Sequence, residues 1–162
     1  MQERFATRPA TGADLDRILE IEKASFGPEA YDHKLFAYYL KRCGALFLVV
    51  FRRRVHGYMI TCIRRDSRRA TAELVSVAVD PALRQAGAAS ASALLDSTLR
   101  RLQRRGATRL HLVVRLANEP AQAFYKKYQF RSLRVLRGYY EDGGDGIAMT
   151  RPVTVGRSRR RR

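Results

Sequence analysis

The chain has 162 residues, 46% of them hydrophobic, which suits one domain with a real core. Its formal net charge is +17 with a pI near 11.0, and 27 of its 32 cationic residues are arginine, so its encounters with polyanions are fast and salt-sensitive. No apolar run is long enough to cross a bilayer, and Met1-Gln2-Glu3-Arg4-Phe5 lacks the basic-then-apolar order of a signal peptide, so a cytoplasmic protein without a membrane partner is expected.

The first strand is expected over about residues 4–9. Thr11 or Asp14 can cap a helix over about 12–24, with Leu15, Ile18 and Leu19 on one face, and Gly27-Pro28 breaks it. A second helix, about 31–42, sets Leu35, Phe36, Tyr39 and Leu40 at helical spacing. Leu46–Phe51 and Tyr58–Ile63 read as apolar strands around a hairpin turn at Arg52–His56, and Ala70–Val79 as the next strand. A third helix spans about 86–105 with Leu95, Leu99 and Leu102 as its stripe, and Gly106 ends it. After a strand at about 109–115 come a helix over about 119–128, a strand near 130–137 and a last strand near 146–152. Residues 155–162, Val-Gly-Arg-Ser-Arg-Arg-Arg-Arg, form a basic tail beyond a single domain at 1–154. Without interleaved aromatics the tail and basic surface suit phosphate attraction, and RNA or ribosome contact is one reading of them. Cys43 and Cys62 lack metal-type spacing and are expected as small buried hydrophobes, reduced in a cytosol. No metal is expected.

Residues 79–89, Val-Asp-Pro-Ala-Leu-Arg-Gln-Ala-Gly-Ala-Ala, carry the first chemical signal. A strand ends at Asp80-Pro81 and a loop with R-x-x-G-x-A spacing, Arg84 to Ala89, leads into the third helix. Unpartnered N–H groups at such a helix start, with the positive end of the dipole, suit a phosphate. Gly87 and Ala89 let a diphosphate approach the backbone. An ordinary strand-to-helix turn has the same pattern. No Lys-Ser/Thr follows the glycine and G-x-G-x-x-G is absent, so neither a triphosphate P-loop nor a dinucleotide fingerprint is present.

A second segment sharpens this one. Val114-Arg115-x-x-Asn118-x-x-Ala121-x-x-Phe124-Tyr125, taken with the Val77-Ala78-Val79 strand and the Arg84–Ala89 loop, resembles the GNAT superfamily of acetyl-CoA-dependent N-acetyltransferases over about residues 4–151. Gly138-Tyr139-Tyr140-Glu141-Asp142, ending in a strand with Met149, and Pro28-Glu29-Ala30-Tyr31 look like RimI-like ribosomal-protein-alanine and Ard1-like N-terminal acetyltransferases. The resemblance implies a mixed α/β fold: a central, mostly antiparallel sheet of about seven strands, splayed where acetyl-CoA enters, with about four helices. It implies that Val77, Ala78 and Val79 contact the pantetheine and thioester. By the same likeness the backbone of Arg84, Gln85, Ala86, Gly87, Ala88 and Ala89 holds the pyrophosphate, and Asn118 contacts the cofactor. Tyr125 stands where the family has its proton donor to the thiolate, although its helical spacing with Ala121, Phe124 and Tyr128 equally suits a core aromatic. Asn118 equally suits a helix N-cap. Tyr31, Tyr139 and Tyr140, with Glu29, fall where the peptide groove lies.

Three positions depart from the family. Val113 stands where RimI-like enzymes have a glutamate, and valine cannot accept a proton. Glu29 is the first candidate substitute, followed by Glu73 and then His111, which strand alternation puts on the face of Val113. Ser90-Ala91-Ser92-Ala93 reads as a two-residue insertion ahead of Leu94-Leu95. Gln129 stands where the family has Gly before Phe130. A weak base still serves one substrate class. An α-amine of pKa about 7.7–8.0 is roughly a tenth neutral at pH 7, against a few parts in ten thousand for lysine at about 10.4. A protein N-terminus, of a ribosomal protein or another, is therefore the expected acceptor, by direct attack in a ternary complex. A small amine or polyamine acceptor and a non-catalytic acyl-CoA- or ribosome-binding module are the alternatives.

Overall fold

The computed structural model describes residues 4–66, 68–83 and 86–154. The basic tail and the two loop residues Arg84 and Gln85 lie outside the described residues. Seven strands form one sheet: β1 (Ala6–Pro9), β2 (Phe47–Arg52), β3 (Arg54–Asp66), β4 (Arg69–Val79), β5 (Arg109–Arg115), β6 (Arg131–Leu136) and β7 (Gly146–Pro152). Their spatial order is β1-β2-β3-β4-β5-β7-β6, antiparallel throughout except for β4 beside β5. Four helices cover the faces: α1 (Leu15–Phe26), α2 (His33–Cys43), α3 (Ala86–Arg104) and α4 (Glu119–Lys127). The expected mixed α/β architecture is the one observed.

Each face has its own core. Leu15, Ile18 and Ile21 of α1 and Phe36 of α2 pack with Phe47, Tyr58 and Ile60 on one side. Leu94, Leu95 and Leu102 of α3 and Tyr125 of α4 pack with Met59, Leu110 and Met149 on the other. Strand alternation separates the two sets: along β5, Leu110, Leu112 and Val114 are buried toward α3 and α4. His111, Val113 and Arg115 take the alternate, half-buried positions. Burial of each such Leu or Ile stabilises by about 1.5–3 kcal/mol.

The helix starts follow the chemistry of their caps. Thr11 and Asp14 form a capping box ahead of α1, and the Asp32 carboxylate accepts from the Leu35 N–H at 2.9 Å at the head of α2. The expected five-residue turn at 52–56 contracts to Arg53, which takes φ 69, so β3 already begins at Arg54. The buried stripe of α3 is Leu94, Leu95 and Leu102 with Ser90, Ser97 and Thr98, while Leu99 is only partly covered. Of the apparent insertion, Ser90 is thus absorbed on the packed face, while Ala91, Ser92 and Ala93 are half-buried.

The cysteines correct the sequence reading. Cys43 ends α2 and Cys62 lies in β3, with Cα atoms 4.8 Å apart, and the two form a disulfide. That separation falls in the range where the bond closes. Linear spacing gave no sign of it, because the pairing arises only when α2 folds back along β3. Gln129 closes α4 with φ 69, the left-handed conformation for which glycine is best suited.

Candidate active site

The sheet opens into a fork. β4 and β5 pair only at Thr71↔Arg109, Ala72↔Leu110 and Glu73↔His111. Beyond that pair β4 stays with β3 as far as Val79, and β5 stays with β7 as far as Arg115. A bulge helps the departure: Ile60 pairs with Ser76 but Thr61 with Leu74, leaving Val75 extra. The β5-facing backbone edge of Val77, Ala78 and Val79 therefore lines an open slot.

The start of α3 stands beside one arm of this fork. Ala86, Gly87, Ala88 and Ala89 form its first turn, whose N–H groups have no intrahelical acceptor. A Cβ added at Gly87 would meet only Val79, at 3.7 Å, so the fold itself leaves room above the backbone there. The Ser90 hydroxyl is buried without a hydrogen-bond partner among the described residues. A small-residue cradle at a helix N-terminus fits a diphosphate.

On the other arm, Asn118 caps α4: its side-chain oxygen accepts from the Ala121 N–H at 3.2 Å. Tyr125, about two turns on, is 6% exposed. Phe124 and Phe130 meet its ring edge-on, each with centroids 5.4 Å away. Burial, with a smaller contribution from Tyr140, pushes its phenol up to about 12.

Arg115, at the tip of β5, joins the two loops above the fork. It donates to Glu29 of the α1–α2 connection at 2.9 Å and to Asp142 of the β6–β7 hairpin at 3.1 Å. Its guanidinium lies 4.0 Å from the centre of the Tyr140 ring. Asp142 and Asp145 in turn fold the hairpin, accepting from the Gly144 and Gly138 N–H groups at 2.9 Å. These N–H donors, ahead of Arg115 and Arg137, hold both carboxyls below the usual range. A cleft of about 260 Å³ lies beside Arg115, lined also by Leu116, Ala117, Gly144 and Asp145. Tyr139 is half-exposed and packs over Gly146, where a Cβ would come within 2.8 Å of Val113. Tyr31 is half-buried against Phe36 and Tyr39, and burial raises its phenol.

Two polar groupings lie deeper. At the foot of the fork Glu73 and His111 face each other in register, with Arg64 3.1 Å from Glu73. Burial, and then Arg109, lowers the His111 pKa against the pull of Glu73, so the ring is neutral at pH 7. On the α1 side Glu22 is 1% exposed. It accepts from the Tyr31 N–H at 3.1 Å and from the Tyr58 hydroxyl, which also meets Ser76 Oγ at 2.9 Å. Burial raises the Glu22 pKa. The sequence reading missed this group, although a carboxylate at i+7 from Leu15 and i+4 from Ile18 marks an acid on an apolar face. It also passed over Arg115, which shares the face of His111 and Val113.

The fold has known counterparts. Residues 15–130 match the acetyltransferase (GNAT) family. An N-alpha-acetyltransferase of Saccharolobus solfataricus is 33% identical over 92% of this chain and 93% of its own. The crystal structure of Ard1 from Thermoplasma volcanium superposes with a TM-score of 0.84 at 27% identity, over 94% of this chain and 100% of that one. That of the ribosomal-protein-S18-alanine N-acetyltransferase from Escherichia coli gives 0.78 at 26% identity, over 96% and 97%. The chain belongs to the GNAT acetyltransferase family.

Proposed function

We propose that this protein acetylates the α-amine at a protein N-terminus, using acetyl-CoA, by direct attack within a ternary complex. The observation that carries the reading is the β4–β5 fork roofed by the Glu29–Arg115–Asp142 bridge. The fork suits a slender thioester arm, and the roof is made of the two loops between which an extended peptide end would enter. Similarity to an N-alpha-acetyltransferase over nearly the whole length supports the same substrate class. A ribosomal protein as target, with the basic surface and tail contacting ribosomal RNA, and a cytoplasmic location belong to this proposal.

The backbone edge of Val77–Val79 would hold the pantetheine arm, Ala86–Ala89 the diphosphate, and Asn118 and Tyr125 the flank nearest the sulfur; Arg84 and Gln85 complete the loop. Acetyl-CoA supplies the activated acetyl group. Glu29, oriented by Arg115, receives the proton of the incoming amine. Tyr31, Tyr139 and Tyr140 line the peptide side. Tyr125, with its phenol near 12, keeps its proton at every working pH. Full transfer to a thiolate whose acid has pKa about 8.5 is uphill by roughly 5 kcal/mol. Tyr125 therefore stabilises the departing sulfur as a hydrogen-bond donor, and the proton reaches sulfur finally from water. A second reading of the base rests on register: the Glu73–His111 pair lies at the foot of the fork, and neutral His111 can accept a proton through water.

Turnover of acetyl-CoA on short peptides with free N-termini, beside N-blocked lysine peptides and spermidine, tests the function. Activity confined to free N-termini is expected. Tyr125→Phe should lower kcat by about 10²-fold or more. Cofactor binding with no turnover on any amine would leave a binding module. Glu29→Gln should lower kcat/KM for peptides with acetyl-CoA affinity unchanged. If His111→Gln instead removes the acid limb of the pH profile and Glu29→Gln changes nothing, the base is the deeper pair.

A further inference from the structure

The +17 charge is distributed unevenly over the surface. β4 and β5 run in parallel, so their C-terminal ends, the α1–α2 connection and the β6–β7 hairpin share one pole, the pole of the fork. Several cations there meet carboxylates, Arg17 and Arg54 with Asp80, Arg115 with Glu29 and Asp142, and Arg137 with Asp145, beside a shorter basic turn at Arg52–Arg54. The opposite pole is where β3 ends, β4 and β5 begin and α3 finishes. Arg64, Arg65, Arg68 and Arg69 on the β3–β4 hairpin and Arg104 and Arg105 at the end of α3 are all exposed there.

The two segments adjoin. The Thr108 N–H donates to the Ala70 carbonyl at 2.8 Å, which brings the turn after Arg105 against the start of β4. Across the sheet Arg64, Thr71 and Arg109 are consecutive partners, so arginine recurs on alternate strands, β3 and β5, along this rim. Asp66 and Glu73 are the carboxylates nearby on the hairpin strands, and Glu73 pairs with Arg64 at 3.1 Å. The Val153 N–H donates to the Thr108 carbonyl at 2.9 Å, so the chain reaches Thr154 at this same pole. In the sequence five more arginines follow.

We infer that this arginine pole is a docking surface for the phosphate backbone of RNA, turned away from the acetylation site. Guanidinium groups on two adjoining elements match a ridge of phosphates in bidentate fashion. No aromatic side chain stands among those six arginines in the sequence, which suits backbone contact over base stacking. The fork lies at the far end of the sheet, so RNA held at this pole leaves the peptide entrance open. This deepens the RNA contact proposed above by giving it a place, and it stands independently of which amine is acetylated.

The test is binding of the full chain to a fluorescent RNA hairpin over a range of salt concentrations. It compares the wild type with the fourfold variant Arg65→Gln, Arg68→Gln, Arg104→Gln, Arg105→Gln. A charge-matched control carries Lys23→Gln, Lys34→Gln, Arg54→Gln and Arg134→Gln. The pole variant should bind at least tenfold more weakly at 0.15 M salt, with a log K against log salt slope shallower by about three. The control should change affinity less than threefold, and the pole variant should acetylate a short peptide at the wild-type rate. Equal losses in the two variants would overturn the placement at this pole while sparing RNA contact as such. No salt-dependent binding by the wild type, or binding only to anionic phospholipid vesicles, would overturn both. A DNA hairpin of the same sequence in the same assay separates RNA from phosphate backbones in general.

Discussion

Glu22 sits among Ile18, Ile21 and Tyr58 because two donors, the Tyr31 N–H and the Tyr58 hydroxyl, offset its desolvation. Burial raises its pKa, so folding favours the protonated acid. Its contribution is fully present below the ordinary carboxylate range and is lost as pH rises through the shifted value. Urea unfolding from pH 4 upward should therefore show a stability component that declines over that window and is absent in Glu22→Gln. Arg115 is the opposite case, an ion pair in contact with water whose worth is geometric. Arg115→Lys keeps the charge but cannot span Glu29 and Asp142 together. Stability should change by less than about 1 kcal/mol, while the peptide KM rises several-fold with acetyl-CoA affinity intact. A fall in stability without a change in KM would make Arg115 a structural tie only. Both residues show what the linear sequence withholds. Glu29 and Tyr125 were legible as members of motifs, but the partner of Glu29 lies 86 positions away and emerges only from the strand order.

Elements were easier to read than contacts. β7 was expected near 146–152 and spans Gly146–Pro152, and β5 was equally plain, because alternation along β5 and the Gly/Asp turn before β7 mark those segments. The fork followed from family resemblance; no periodicity encodes where two parallel strands part. The cysteine pair was misread, since only the packing of α2 on β3 brings the sulfurs together. A link across 19 positions should stabilise by about 3 kcal/mol through loop closure, read as a lower urea midpoint for Cys43→Ser/Cys62→Ser. Thiol titration of the unfolded, unreduced chain should find no free sulfhydryl. At the end of α4, Gln129 holds a left-handed conformation that glycine adopts without penalty. Gln129→Gly should stabilise by about 0.5–1 kcal/mol, a rise in Tm of roughly 1–4 °C, in a thermal melt. Gly57→Ala should do the reverse, because its Cβ would fall 2.8 Å from the Ala78 carbonyl, beside the open edge of β4.

At the scale of the whole molecule the sheet divides labour between its ends, with carboxylates and aromatics around the fork and arginines at the opposite rim. The order β5-β7-β6 adds a temporal property. The last strand to be synthesised is not an edge strand; it enters between two that were made before it. Until β7 emerges, β5 lacks its antiparallel neighbour and β6 has no sheet to join. The β6–β7 hairpin that meets Arg115 is also incomplete. A growing chain thus carries the open edge of β4 well before it can close the entrance above it. The sheet and the bridge above the fork are completed together when β7 inserts, as a late and abrupt event rather than a gradual one.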